Sequence, residues 1–254
     1  MAGLSSNQLN QLAMATVEAV ESLVECWDAK RKPGADFEVG QIVYAPVPDT
    51  VLRLKVADVL RANATSHDAA ELRFRPVDDK ADFRQKPQRL PLAALQLGET
   101  EEILVGKGKQ RPCVILASSQ GVTPMHLPEG EQRNKGQNAF KPIFCVAPLF
   151  SCSSGAKTTS FGPVMAVRIK CMMYPEFLYV PKQEPAIDCD SVARLDRMFW
   201  SHLQCATRAH GQFLSQTMLG LAWDQMRVMA GEKPSAEYLE LRELLLGELP
   251  KDCQ

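Results

Sequence analysis

Arg111 closes a cationic stretch softened by glycine, Gly106-Lys107-Gly108-Lys109-Gln110-Arg111-Pro112, and the apolar run Cys113-Val114-Ile115-Leu116-Ala117 follows at once. A guanidinium presented from the start of a buried strand can hold a phosphate or carboxylate in fork geometry, because its planar N–H donors match two oxygens together. Arg111 is therefore the first candidate for anion recognition, with Lys107 and Lys109 as phosphate contacts on the same loop. Read alone, the loop is better taken as a hairpin whose cations stay in water. The order of elements around it favours a site.

A second basic pair lies downstream. Val167, Ile169 and Cys171 alternate with Arg168 and Lys170, a strand pattern that would set both cations on one solvent-facing side. From Val105 to Lys182 the chain carries ten bases against the three acids Glu129, Glu131 and Glu176, whereas acids outnumber bases from Gln183 onward. The overall balance of 29 Lys and Arg against 30 Asp and Glu thus conceals a basic middle third, the part suited to a polyanion.

Other chemistries find no support in the sequence. The eight cysteines, at 26, 113, 145, 152, 171, 189, 205 and 253, contain no Cys-x-x-Cys pair and read as reduced, buried thiols. The four histidines are dispersed; His202 and His210 fall on one expected helix but eight residues apart, too far to chelate, so no metal and no cofactor is expected. There is no Gly-x-Ser-x-Gly, and Gly106-Lys107-Gly108-Lys109 does not meet the phosphate-loop pattern. With 45% hydrophobic and 23% charged residues, no apolar run of membrane-spanning length and no signal-peptide start, the 254-residue chain reads as a cytoplasmic globular protein that keeps off membranes.

The elements that must position these residues fall into three zones. Residues 1–36 hold a helix over 4–27, with an apolar stripe through Leu9, Leu12, Val20, Leu23, Val24 and Trp27, ended by Pro33 and Gly34. Residues 37–190 carry a first strand at Gly40–Ala45, inserted strands at Leu52–Leu60 and Glu71–Val77 within about 50–100, and buried strands at Cys113–Ala117 and Ile143–Pro148. Polar segments at Asn63–Asp68, Asp78–Pro91 and Gly121–Gln137 read as loops. In residues 191–254, one helical stripe runs from Leu195 to Gly211, a second from Leu214 to Gly231, and a final helix is capped by Ser235.

The Gly40-Gln41-Ile42-Val43 strand, Gln110-Arg111-Pro112 leading Cys113-Val114-Ile115-Leu116, the segment Val146-Ala147-Pro148-Leu149-Phe150-Ser151, and a helix opening near Ser191 to Asp196 together resemble the MazF/PemK family, ribonuclease toxins of bacterial toxin–antitoxin systems. The resemblance implies an α+β fold: an SH3-like, mostly antiparallel β-barrel, here with an inserted hairpin region, an N-terminal helix and C-terminal helices. It implies a homodimer, an antitoxin protein as partner, and Arg111 at the scissile phosphate of single-stranded RNA. Cleavage in the family needs no metal, since the ribose 2′-hydroxyl attacks the adjacent phosphate and the protein supplies positioning, charge and a proton shuttle. Where the family has a catalytic hydroxyl this chain has Phe150, with Ser151 one residue on; adjacent strand residues face opposite ways, so Ser151 replaces it only if a bulge re-aims it.

Two readings follow. The first is a metal-independent endoribonuclease, with Arg111 and Ser151 catalytic and Lys107, Lys109, Phe150, Arg168 and Lys170 along the RNA path. Phe150 or Tyr174 would offer a stacking surface. The second is a catalytically silent barrel that binds nucleic acid or a protein through the same arginine.

Overall fold

The computed structural model describes residues 23–49, 54–60, 71–84, 100–119, 142–152, 161–203, 206–249 and 253. The chain divides into two compact units, one formed by Met1–Pro46 with Gln110–Gln254 and the other by Val47–Lys109. The fold is α+β with mostly antiparallel strands, and three α-helices are found among the described residues.

The first unit is built on a seven-stranded sheet. Its strands are β1 (Gln41–Pro48), β5 (Gly108–Ser119), β6 (Ile143–Ser151), β7 (Phe177–Val180), β8 (Ser191–Arg194), β9 (Phe199–Ser201) and β10 (Thr207–Phe213). They follow the order β10-β1-β5-β6-β8-β7, with β9 also on β6. β5 and β6 pair antiparallel from Cys113↔Pro148 to Ser119↔Ile143, with one register shift between Ile115 and Ala117. On its other edge β6 has two partners: Phe144–Val146 pair with β9, and Leu149–Ser151 pair with β8. Gly40, at a φ of +87° that favours glycine, turns the chain into β1 and donates its N–H to the Ile115 carbonyl at 2.7 Å.

Alternation along these strands sorts the core. Val114, Leu116, Ala147, Leu149, Leu178, Val180 and Ala193 belong to one apolar cluster, which Met218, Leu219 and Ala222 of helix α2 (Gln216–Met229) complete. Cys152, Tyr179 and Val192 point the other way, into a second cluster with Val167 and Ile169 of α1 (Pro163–Lys170) and Tyr238 and Leu245 of α3 (Ala236–Gly247). Helix starts follow their capping residues. Ser215 accepts the Met218 N–H at 3.1 Å, Ser235 accepts the Tyr238 N–H at 3.2 Å, and Pro163 opens α1 where its missing N–H costs nothing.

The second unit holds a three-stranded sheet, ordered β3-β2-β4, of β2 (Lys55–Leu60), β3 (Glu71–Pro76) and β4 (Leu104–Val105). β2 and β3 pair antiparallel from Lys55↔Pro76 to Leu60↔Glu71. Arg75 is gripped by two carboxylates, at 2.7 Å from Asp58 and 2.5 Å from Asp82. Burial of Asp82 sets it apart from the exposed loop expected over Asp78–Pro91, of which residues up to 84 are described.

Several sequence expectations are corrected. Val167, Ile169 and Cys171 do not lie on a strand; Pro163–Lys170 is α1, which buries Ala166, Val167, Ile169 and Lys170. The segment from Leu195 to Gly211 is not a helix but a 3-10 turn at Leu195–Arg197, then β9 and the first part of β10. Val24–Cys26 are not helical and Trp27 forms a bridge with Leu214, so the first helix stops short of residue 27. The helix over 4–22, the Asn63–Asp68 loop, the Gly121–Gln137 loop and Cys205 lie outside the described residues.

Candidate anion-binding site

Four adjacent strands contribute to one face of the larger sheet. Continuing the Cys113↔Pro148 ladder by two residues sets Arg111 of β5 opposite Phe150 of β6, and the Arg111 guanidinium carbon lies 4.2 Å from the Phe150 ring centroid. On the far side Phe150 pairs with Val192 of β8, and Arg194, two residues further on, shares that face by alternation. Arg194 in turn pairs with Phe177 of β7, and its guanidinium stands 4.9 Å from the Phe177 ring and 5.8 Å from the Phe150 ring. The 3-10 turn after β8 adds Arg197, 5.4 Å from Phe150.

Three guanidiniums therefore surround one phenylalanine. The ring quadrupole attracts each of them electrostatically, and the contact with Arg111 holds a side chain that would otherwise sample many rotamers. One carboxylate offsets them: Asp196 accepts from Arg194 Nε at 2.7 Å and Nη2 at 2.5 Å. Partial burial pushes the Asp196 carboxyl up, but the Arg194 hydrogen bonds and the charges of Arg194 and Arg197 outweigh this and hold it below the usual carboxylate range. It stays ionised at neutral pH. Among the described residues Arg111 and Arg197 make no ion pair, so both forks remain available to an anion.

The other expected site residues are placed differently. Ser151 pairs with Ser191 in an unbroken register after Leu149↔Ala193 and Phe150↔Val192. No bulge re-aims it, so its hydroxyl belongs to the strand face opposite Phe150 and Arg111. Lys170 is 3% exposed, 3.3 Å from Asp190 and 5.0 Å from the Tyr179 ring, so it cannot line an RNA path as a solvent-facing cation. Arg168, on α1, donates to the Cys253 carbonyl at 2.7 Å and to the Tyr174 hydroxyl at 3.3 Å. Tyr174 packs edge-on against Phe177 at 5.9 Å, and this links Arg168 to the aromatic group. Phe150 does not present a bare ring for a base, because Arg111 covers it. Lys107 and Lys109 are exposed within the second unit, where the Lys107 carbonyl accepts the Asp49 N–H at 2.7 Å.

Sequence reasoning missed Arg194, Asp196, Arg197 and Phe177. Their signal was the charged quartet Arg194-Leu195-Asp196-Arg197, absorbed into an expected helix; read as the end of a strand, Ser191–Arg194 would have put Arg194 on the same face as Val192. His202 follows β9 and His210 lies in β10, so the helix expected to carry both does not exist. Among the described residues no group of three or more His, Cys, Asp or Glu side chains is arranged to hold a metal, and no helix is long and apolar enough to cross a membrane. The chain matches no protein-family model, no curated protein and no solved structure.

Proposed function

We propose that this protein is a single-stranded RNA-binding module, related in plan to the SH3-like barrels of the MazF/PemK ribonucleases, and that Arg111, Arg194 and Arg197 clamp phosphate on the Phe150 face of the sheet. The observation that carries the reading is the convergence of three guanidiniums on one aromatic ring, two of them free of ion pairs among the described residues. Guanidinium planes supply bidentate donors to phosphate oxygens and flat surfaces on which unstacked bases can lie.

The geometry supports binding more strongly than cleavage. A 2′-hydroxyl attack requires a group that takes or returns a proton, within hydrogen-bond reach of the reacting atoms. Ser151 faces away, and Asp196, already held by Arg194 and lowered in pKa, is a weak base. Arg111 alone would stabilise charge without moving protons.

Fluorescence anisotropy with a 5′-hydroxyl, 3′-hydroxyl RNA 12-mer tests the reading. Binding at low salt that weakens as salt rises is expected, because phosphate contacts release counterions. Wild-type protein that is folded yet fails to bind at low salt would falsify it. Incubation of the same RNA with a chelator present should leave it intact, whereas products ending in 2′,3′-cyclic phosphate would establish the ribonuclease instead.

A further inference from the structure

The charge within the cluster exceeds what one internal phosphodiester can neutralise. Arg111, Arg194 and Arg197 supply three positive charges against the single carboxylate of Asp196, and all three guanidinium carbons lie within 5.8 Å of one ring centroid. An internal phosphodiester carries one negative charge and two oxygens free to accept. A terminal phosphomonoester carries about −1.5 to −2 at neutral pH and has three strong acceptor oxygens. The net double positive charge, and the forks of Arg111 and Arg197 left open on two different elements, match the second group.

The surroundings favour one compact anion over a track of many. Two of the cations read from the sequence along an RNA path are diverted, Lys170 being buried against Asp190 and Arg168 held by the Cys253 carbonyl and Tyr174, and a further base of the middle third, Lys182, pairs with Glu184 at 2.6 Å. Phe177, braced by Tyr174 and Phe161, steadies Arg194 beside the other two arginines, so the three cations stand ready at one compact point.

We infer that the cluster recognises the terminal phosphomonoester of a single-stranded nucleic acid, a reading that rests on the RNA-binding function proposed above. The test compares three forms of one RNA 12-mer, 5′-phosphorylated, 3′-phosphorylated and unmodified at both ends, with a phosphoseryl peptide as a fourth probe. One phosphorylated end should bind at least about tenfold more tightly than the unmodified oligomer, and which end gains shows the polarity of the site. Arg111→Gln should remove that gain, and Arg197→Gln, on the turn rather than in a strand, should remove it independently if the first variant folds poorly. Equal binding of all three RNAs would overturn the inference and leave the RNA-binding function standing. Tighter binding of the phosphopeptide than of any RNA would overturn it in favour of a protein partner, and binding of none would remove both readings.

Discussion

The Arg111 guanidinium carbon rests 4.2 Å from the centroid of the Phe150 ring on the neighbouring strand. In the proposed site Phe150 would act on the anion through Arg111: a cation fixed before any ligand arrives loses less entropy when its fork closes on phosphate.

That relationship separates two substitutions. Arg111→Lys keeps the charge but loses the planar fork, and RNA affinity should fall at least about tenfold. Phe150→Leu keeps Arg111 but removes the ring; a cation–π contact of about 0.5–1 kcal/mol at a half-exposed site gives a fall of about two- to fivefold. Anisotropy titrations at one fixed salt concentration read both, and an equal loss in the two variants would contradict the supporting role of the ring.

Helix α3 depends on a carboxylate from α2. Asp224 accepts from the Ser235 N–H at 3.0 Å and the Ser235 hydroxyl at 2.5 Å, while Ser235 caps α3. Burial raises the Asp224 carboxyl, yet the Ser235 hydrogen bonds and Arg227 more than offset it and bring it below its usual 3.8. Its stabilisation is therefore complete above that value and is lost as pH falls through the lower folded-state value. Urea unfolding should show Ser235→Ala costing about 1 kcal/mol, and Asp224→Asn should flatten the loss of stability below about pH 4.

The Lys170–Asp190 pair should respond unequally to its two halves. Removing Asp190 leaves a 3%-exposed ammonium with no carboxylate, and Asp190→Ala should cost about 3 kcal/mol or more. Lys170→Met replaces the cation by a chain of similar length and leaves Asp190 partly in water, accepting the Lys182 N–H at 3.1 Å. It should cost less than half as much in the same unfolding measurement.

Thiol reactivity should be sharply graded. Burial pushes Cys113 and Cys152 up to about 12, only partly opposed by the Ala45 hydrogen bond and Arg111 charge at the first and the Lys170 charge at the second. At pH 8 their thiolate fraction is on the order of 10⁻⁴, and the thiolate is the reactive form. Among the described cysteines Cys189, the one not fully buried, should be alkylated first by iodoacetamide, as read by mass spectrometry of the native protein.

How much of this was legible depends on whether a pattern had one cause. β5 and β6 were plain, since Cys113–Leu116 and Phe144–Leu149 are buried on both faces and form continuous apolar runs. α2 was plain from its apolar stripe ending at Gly231, and α3 from the serine cap at its start. α1 was not: buried on much of its circumference, it shows no 3.6-residue stripe, and Val167, Ile169 and Cys171 mimic alternation. β8 to β10 failed in the opposite sense. Leu195, Met198, Phe199, Leu203 and Ala206 fall at helical spacing through a 3-10 turn, the short strand β9 and the residues ahead of β10, and that coincidence hid three charged residues of the candidate site. Arg111 itself was found from its loop and strand, but its partners come from pairings between distant segments that no local spacing reports.

The two pairings on one edge of β6 leave the chain with surplus length. From Val146 to Leu149 the strand advances three residues, while its partners, Phe199 and Ala193, are six residues apart. Both ends are sewn to the same seam, so the excess cannot lie flat and must loop out of the sheet. Asp196 and Arg197 ride on that loop. Their reach beyond the strand surface is thus written into an arithmetic mismatch of chain against edge: deleting one residue between Arg194 and Met198 would draw them back toward the seam and leave every strand pairing intact.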